Sequence, residues 1–170
     1  MATVTGLVTA VLFGWTLGPA APSPHVELAV DNGGPKTLTI KTDRAGPHHI
    51  IRAALLGPNG HTQVVSFIVD TGATDMVLPE SMADRLGFTP DNLRTVELQT
   101  ANGVATAREG VLKSIQLGGP DNNDVIERVA VVFLGDDETG GVALMGMNVL
   151  GRYKVTIEDD ADQIILVKRH

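Results

Sequence analysis

Short stretches of alternating or continuous apolar residues, separated by turn-forming residues, run through the chain after residue 35. Thr37–Lys41 alternates with a period of two, which predicts a half-buried strand, and the apolar, β-branched run Val64–Val69 predicts a buried strand. Asp43–Pro47 is rich in turn-forming residues and predicts a turn. Further strands are predicted at His49–Leu56, Val96–Thr100, Val104–Leu117, Val125–Leu134, Tyr153–Ile157 and Gln163–Lys168.

One hairpin and one helix complete the predicted elements. Gly57–Gly60 contains Asn-Gly, which favours the positive φ angles of a two-residue hairpin turn. Pro79–Gly87 predicts a helix, because Pro lies near its start, apolar residues recur on one face and Gly87 suits the position just after its end. Many short strands with one short helix predict a mainly antiparallel β fold.

The first 24 residues differ from the rest of the chain. No charged side chain precedes Glu27, and residues 3–18 are mostly apolar. A membrane anchor, a secretory signal and a loosely packed terminus all fit this composition. The Pro-rich run Pro19–Pro24 favours an extended linker, so we divide the chain into an N-terminal segment (1–24), a linker (25–35) and a folded domain (36–170). An anchor or signal would place that domain outside the cytoplasm, in a bacterial periplasm; a loosely packed terminus leaves a cytoplasmic location open.

Charge and cysteine content narrow the function. The chain has 20 Asp and Glu against 13 Lys and Arg, a net charge of −7, which disfavours binding to nucleic acid. Cysteine is absent, which excludes disulfides, thiolate nucleophiles and cysteine-ligated metals. At 170 residues, the chain predicts a single compact core.

The strongest candidate for chemistry is Asp70, which directly follows the predicted buried strand. A carboxylate in such a place is costly unless it is paired or used. Gly72 allows a tight turn beside it, Thr71 offers a hydroxyl for a hydrogen bond, and Ala73 leaves space against the carboxyl group. Thr74 completes the segment, Asp-Thr-Gly-Ala-Thr.

This segment resembles the active-site signature of the retropepsin-like (single-lobed) aspartic proteases. Two further landmarks appear in the order typical of that family. The segment around Ala101, Asn102 and Gly103 resembles the flap hairpin, and the apolar run through Leu144, Met145 and Gly146 resembles the second landmark, in which a short helical turn follows the glycine. With Tyr153–Val167 similar to the closing hairpin, the resemblance covers about Lys36 to Lys168.

The resemblance is strongest to membrane-tethered bacterial members of the family. It implies a closed, mostly antiparallel barrel with one or two short helices. It also implies an aspartic endopeptidase that needs no metal or organic cofactor and hydrolyses peptide bonds of polypeptide substrates. Because the chain has one Asp-Thr-Gly, it implies a homodimer in which two copies of Asp70 share a proton. A retropepsin fold that has lost catalysis and serves as a dimerisation or peptide-binding module is the alternative.

The resemblance also assigns roles around the catalytic carboxylate. Thr71 would hydrogen-bond across the dimer axis, and Gly72 would receive the substrate backbone. Met147 stands where viral members carry Arg, so the ion pair that stabilises their dimers is not expected. The expected subsite walls are apolar, which favours hydrophobic side chains next to the cut: Ala101, Val104, Val142 and Leu144.

Other polar groupings are interpreted as solvent-exposed. His48 and His49 are adjacent on a predicted strand, so they point to opposite faces and predict a solvated pair rather than a metal site. The acidic runs Asp136–Glu138 and Glu158–Asp160 lack the alternating ligands of a calcium loop and predict solvated turns.

Overall fold

A computed structural model describes residues 34–100 and 103–169, with the side chain of residue 100 excepted. Eleven strands lie in these residues, most of them short. They are β1 (Thr37–Lys41), β2 (Asp43–Ala45), β3 (His48–Leu56), β4 (Thr62–Val69), β5 (Met76–Pro79), β6 (Arg94–Thr100), β7 (Gly103–Gly118), β8 (Asn123–Leu134), β9 (Ala143–Met145), β10 (Tyr153–Glu158) and β11 (Gln163–Lys168).

Three α-helices of one turn each interrupt the strands, together with 3-10 turns at Pro90–Asn92 and Asp159–Ala161. The helices are α1 (Met82–Arg85), α2 (Asp136–Thr139) and α3 (Met147–Leu150). None of the helices in the described residues has the length and apolar character needed to span a bilayer.

The strands form a barrel and a small second sheet. The larger sheet has the order β2-β3-β4-β9-β5-β8-β7-β6, and an additional pairing of β3 with β7 closes the strands between them into a ring. The smaller sheet has the order β1-β11-β10. All pairings are antiparallel except β4 with β9 and β5 with β8. The predicted fold class, a closed and mostly antiparallel β barrel, is confirmed, although the described residues form three short α-helices where one or two were expected.

Along each barrel strand, every second side chain points inward, and these side chains fill the barrel interior, as the period-two pattern predicts. Phe67 on β4 and Phe133 on β8 are almost completely buried. Phe133 also packs edge to face against Phe88, with ring centroids 4.9 Å apart. Burial of these rings and the aliphatic side chains around them fixes the strands whose ends carry the candidate site.

Several predicted elements differ in the structure. The helix expected at Pro79–Gly87 is α-helical only over Met82–Arg85, because Pro79 pairs with Leu134 as the last residue of β5. Gly87 does take a positive φ just after the helix, as predicted. The connection between β3 and β4 spans residues 57–61, so the predicted two-residue turn is wrong. Residues 43–45, predicted within a turn, form the exposed edge strand β2.

The prediction that His48 and His49 are a solvated pair is wrong for His49, which is only 5% exposed. Its ring lies 2.9 Å from the hydroxyl of Thr42 and 2.9 Å from the carboxylate of Asp159. Hydrogen bonds from His49 and then Arg44 hold the pKa of Asp159 below its ordinary value. This group ties the start of β3 to the 3-10 turn between β10 and β11, which the sequence interpretation treated as purely solvated.

A second buried polar group lies between the two sheets. Asp124 on β8 is 5% exposed and accepts a hydrogen bond of 2.7 Å from the hydroxyl of Tyr153, which is 1% exposed. The ammonium of Lys168 lies 2.9 Å from the same carboxylate, and that of Lys36 lies 3.9 Å from it. The strands at both ends of the domain are therefore joined to β8 through one carboxylate.

Candidate functional site

Asp70 lies at the end of β4, in a turn that its own backbone and carboxylate help to close. Its N–H donates to the carbonyl of Met145 over 3.1 Å, and its carbonyl accepts from the N–H of Ala73 over 3.3 Å. The N–H of Gly72 donates to Asp70 Oδ1 over 2.9 Å. A β-carbon at residue 72 would come 3.2 Å from that oxygen, so the glycine allows the close approach. The carboxylate is thereby aimed by a backbone donor.

The second landmark lies directly beside this turn. β9 runs parallel to β4 with Met145 opposite Val69, so Gly146 follows the barrel strand at the level of Asp70. A β-carbon at Gly146 would come 2.2 Å from the carbonyl oxygen of Asp75, a distance that no side chain tolerates. The glycine is needed because two backbone segments touch at this point.

The short helical turn predicted after Gly146 is confirmed as α3. Its first N–H groups reach back to the turn at Asp70. Met147 donates to the carbonyl of Ala73 and Asn148 to that of Thr74, each over 2.8 Å. The two landmarks, more than 70 residues apart in the sequence, are thus brought together by backbone hydrogen bonds.

Asn148 has a structural role that the sequence did not reveal. Its side-chain carbonyl accepts from the N–H of Met76 over 3.0 Å, and its amide donates to the carbonyl of Ala130 over 2.9 Å. One side chain therefore satisfies backbone groups of β5 and β8 beneath the site. The only signal in the sequence is its position two residues after the landmark glycine.

The predicted flap hairpin is formed by β6 and β7, which pair antiparallel with Thr100 opposite Gly103. Gly103 has a φ of 118°, a value that favours glycine. The other two residues assigned to the flap, Ala101 and Asn102, lie outside the described residues. The hairpin stem reaches the site through Leu98 and Gln99.

Asp70 opens into a cleft of about 670 Å³. Its walls come from the turn at Asp70, the hairpin stem, the end of β8, helix α2 and the start of β9. The residues that line it are Asp70, Gly72, Ala73, Thr74, Asp75, Val77, Leu98, Gln99, Leu134, Glu138, Thr139, Val142 and Leu144.

Most predicted site residues lie in or under this cleft. Leu144 is part of its wall, whereas Met145 and Gly146 are buried behind it and support the turn. Thr71 is exposed in the turn and does not line the cleft of the single chain. Val104, expected in a subsite wall, is 68% exposed and does not line the cleft either, whereas Val142 does.

The sequence missed one element of the site. The acidic run Asp136–Glu138, predicted as a solvated turn, forms α2, and Glu138 and Thr139 face the cleft. Gly135 just before α2 and Gly140 just after it were the available signals, since glycines frequently flank a short helix.

The lining of the cleft is acidic as well as apolar. It contains the carboxylates of Asp70, Asp75 and Glu138, and the described residues contribute no Lys, Arg or His to it. No group of three or more His, Asp or Glu side chains close enough to hold a metal ion occurs within residues 34–100 and 103–169.

Comparison with known proteins supports this assignment. Residues 58–152 match the family described as gag-polyprotein putative aspartyl protease. The crystal structure of a retropepsin-like aspartic protease from Rickettsia conorii is similar, with a TM-score of 0.56 and 31% identity over 76% of this chain and 89% of that chain. The resemblance to retropepsin-like proteases is confirmed.

Two curated relatives are uncharacterized proteins. One, from a Sinorhizobium species, is 34% identical over 49% of this chain, and one from Rickettsia prowazekii is 35% identical over 60% of it. The matched region covers 39% and 41% of their lengths, so the chain spans about two fifths of the curated relatives it matches.

Proposed function

The chain belongs to the family of gag-polyprotein putative aspartyl proteases, and we propose that it is an aspartic endopeptidase that acts as a homodimer. The observation that carries this proposal is the placement of Asp70. Its carboxylate lies at an open cleft, is aimed by the N–H of Gly72, and has no cation to neutralise it among the described lining residues. Such a group is free to exchange a proton with water and substrate.

The proposal requires two chains because the chemistry requires two carboxylates. Neighbouring carboxylates resist double ionisation, so a close pair holds one proton between an acid and a base. This chain has one Asp-Thr-Gly turn, so the second must come from another copy about a twofold axis. Thr71, exposed in the turn, is the proposed contact across that axis.

In the proposed reaction the ionised Asp70 accepts a proton from a bound water as the water oxygen attacks the carbonyl carbon of the scissile peptide. The protonated Asp70 of the other copy donates to the carbonyl oxygen as the tetrahedral intermediate forms. As that intermediate collapses, the C–N bond breaks and the first Asp70 gives the proton that it took from water to the leaving nitrogen, while the second Asp70 takes back a hydroxyl proton as the product C=O forms. One carboxylate again holds one proton at the end, and no cofactor is consumed.

The hairpin of β6 and β7 is the proposed cover over the substrate. Leu98 and Gln99 already reach the cleft from its stem, so a tip at Ala101, Asn102 and Gly103 would close over a peptide and exclude water. Gly72 would lie beside the substrate backbone, because its lack of a side chain leaves room there.

The N-terminal segment (1–24) lies outside the described residues. Its apolar composition supports the proposal that it anchors or exports the domain, which would place the protease at a bacterial membrane on the periplasmic side. Fractionation of cells with mass spectrometry of the mature N-terminus tests this. A soluble cytoplasmic chain with an intact N-terminus would contradict it.

Asp70→Asn tests the catalytic proposal, because the amide keeps the shape of the carboxylate but cannot act as the base. We expect cleavage of a peptide library to fall by at least about 1000-fold, as on loss of a central catalytic group. Asp84→Asn, an exposed substitution on α1, is the matched control and should cleave as the wild type does.

If purified wild type cleaves no better than Asp70→Asn, the protease proposal fails. Binding of uncleavable peptides by both proteins would then support the alternative, a dimerisation or peptide-binding module. Thermal unfolding of both proteins shows whether the substitution altered the fold instead.

A further inference from the structure

Helix α2 forms a fixed part of the cleft rim. Its first residue, Asp136, accepts a hydrogen bond of 3.0 Å from the backbone N–H of Ser81, which precedes α1. Donation by the backbone and hydroxyl of Ser81 lowers the pKa of Asp136, so the link persists into mild acid. At the other end, the N–H of Val142 donates to the carbonyl of Thr139 over 3.1 Å. These hydrogen bonds at both ends hold α2 in an orientation in which Glu138 and Thr139 line the cleft.

Glu138 is the charged residue that α2 presents. It lines the cleft, and its carboxylate has no hydrogen-bond or ion-pair partner among the residues that the structure describes. A β-carbon at Gly135 would come 3.1 Å from Glu138 Oε2, so the carboxylate lies over a glycine and not against a donor. Its charge is left for a bound molecule to neutralise.

The walls beside Glu138 are apolar. Val142 follows α2 after two glycines, Leu134 lies two residues before it, and Val77 and Leu144 are neighbours across the β5–β9 contact. An aliphatic wall below a carboxylate suits a side chain with a long apolar stem and a positively charged end. Lys and Arg have that form, whereas an acidic side chain would be repelled by three carboxylates in one cleft.

We infer that Glu138 is a specificity-determining residue, which gives the cleft a preference for substrates with Lys or Arg in the subsite beside α2. This inference rests on the proposed function and adds a polar determinant to the hydrophobic subsites expected from the sequence. Because Glu138 is exposed in the free protein, we expect a preference for Lys over its uncharged isostere norleucine of about threefold to fivefold. Salt should weaken it.

The test uses a peptide that the full-length protein cleaves. A denatured protein is digested, the cut sites are read by mass spectrometry, and the best site is synthesised with Lys, norleucine or Glu at each position around the cut. The wild type should show the highest kcat/KM for Lys at one position and the lowest for Glu at that position. Glu138→Gln should abolish the ratio between Lys and norleucine, and Glu138→Lys should favour Glu. Asp137→Asn, a neighbouring substitution outside the cleft lining, should keep the wild-type ratio.

Binding of a random peptide library, which needs no known cut site, separates this inference from the catalytic proposal. If no protein is cleaved but library peptides bind more tightly with Lys than with norleucine at one position, and Glu138→Gln removes the difference, the chemistry fails and the subsite stands. If Lys and norleucine peptides are cleaved and bound alike, or if Glu138→Gln and Asp137→Asn change the ratio equally, the inference is wrong.

Discussion

Asp70 and Asp124 are both carboxylates within the barrel strands or at their ends, but their surroundings differ. Asp124 is 5% exposed, and its two oxygens receive the hydroxyl of Tyr153 and the ammonium of Lys168. Asp70 is half-buried and receives one backbone N–H, that of Gly72 in its own turn. One carboxylate is fully occupied by the protein, whereas the other keeps most of its hydrogen-bonding capacity for a ligand.

The fold thus places a stabilising carboxylate and a candidate reactive carboxylate in different surroundings. Burial alone would raise the pKa of Asp124, but hydrogen bonds from Tyr153 and Lys168, with the charges of Lys168 and Lys36, outweigh it and lower that pKa. Burial and the bond to Asp124 raise the pKa of Tyr153. Asp124 is therefore held in its charged form into mild acid and Tyr153 in its neutral form into mild alkali, while the Asp70 carboxylate keeps open hydrogen-bonding positions for a ligand.

Substitutions of Asp124 and Asp70 should differ most in their effect on the free energy of unfolding. Asp124→Ala leaves a buried hydroxyl and an unpaired ammonium, so we expect the free energy of unfolding to fall by about 3 kcal/mol. Tyr153→Phe removes one donor only and should cost about 1 kcal/mol. Asp70→Asn should change stability by less than about 0.5 kcal/mol, as an open position does. Urea unfolding monitored by circular dichroism measures all three, and equal losses for Asp70→Asn and Asp124→Ala would remove the distinction.

A smaller effect is expected from pH. Because the pKa of Asp124 is lower in the folded than in the unfolded protein, its stabilising contribution is present above about pH 4, the ordinary value for Asp, and is lost as pH falls through the folded pKa. Wild-type Tm should therefore fall more steeply below about pH 4 than the Tm of Asp124→Asn. At high pH the direction reverses. Because the pKa of Tyr153 is raised in the folded protein, its stabilising contribution is present below about pH 10 and is lost as pH rises further. Parallel Tm curves for the two proteins would contradict this role of Asp124.

The sequence predicted the parts of the fold that depend on period-two burial. Strands such as β1 and β11 were predicted at their observed bounds, because each alternates between the core and solvent. β5 and β9 were not predicted, since four and three residues are too short to show a period. β5 becomes a strand by pairing with β8, and β9 by pairing with β4.

The candidate site shows the same division. The turn at Asp70 and the landmark at Gly146 have local signatures and were identified from the sequence. Glu138 and Asn148 depend on which segments meet in space, and no local pattern separates them from solvated polar residues. His49 likewise read as exposed because its partners, Thr42 and Asp159, are far apart in the chain.

Mixing two forms of the protein tests whether one active site uses Asp70 from two chains. Wild type and Asp70→Asn are unfolded together in equal amounts, refolded and assayed at constant total protein. Random pairing leaves about one quarter of the dimers with two carboxylates, so we expect about one quarter of the pure wild-type activity. Mixing with Asp84→Asn should cause no loss. Half of the wild-type activity in the Asp70→Asn mixture would mean that each chain works alone and would contradict the shared site.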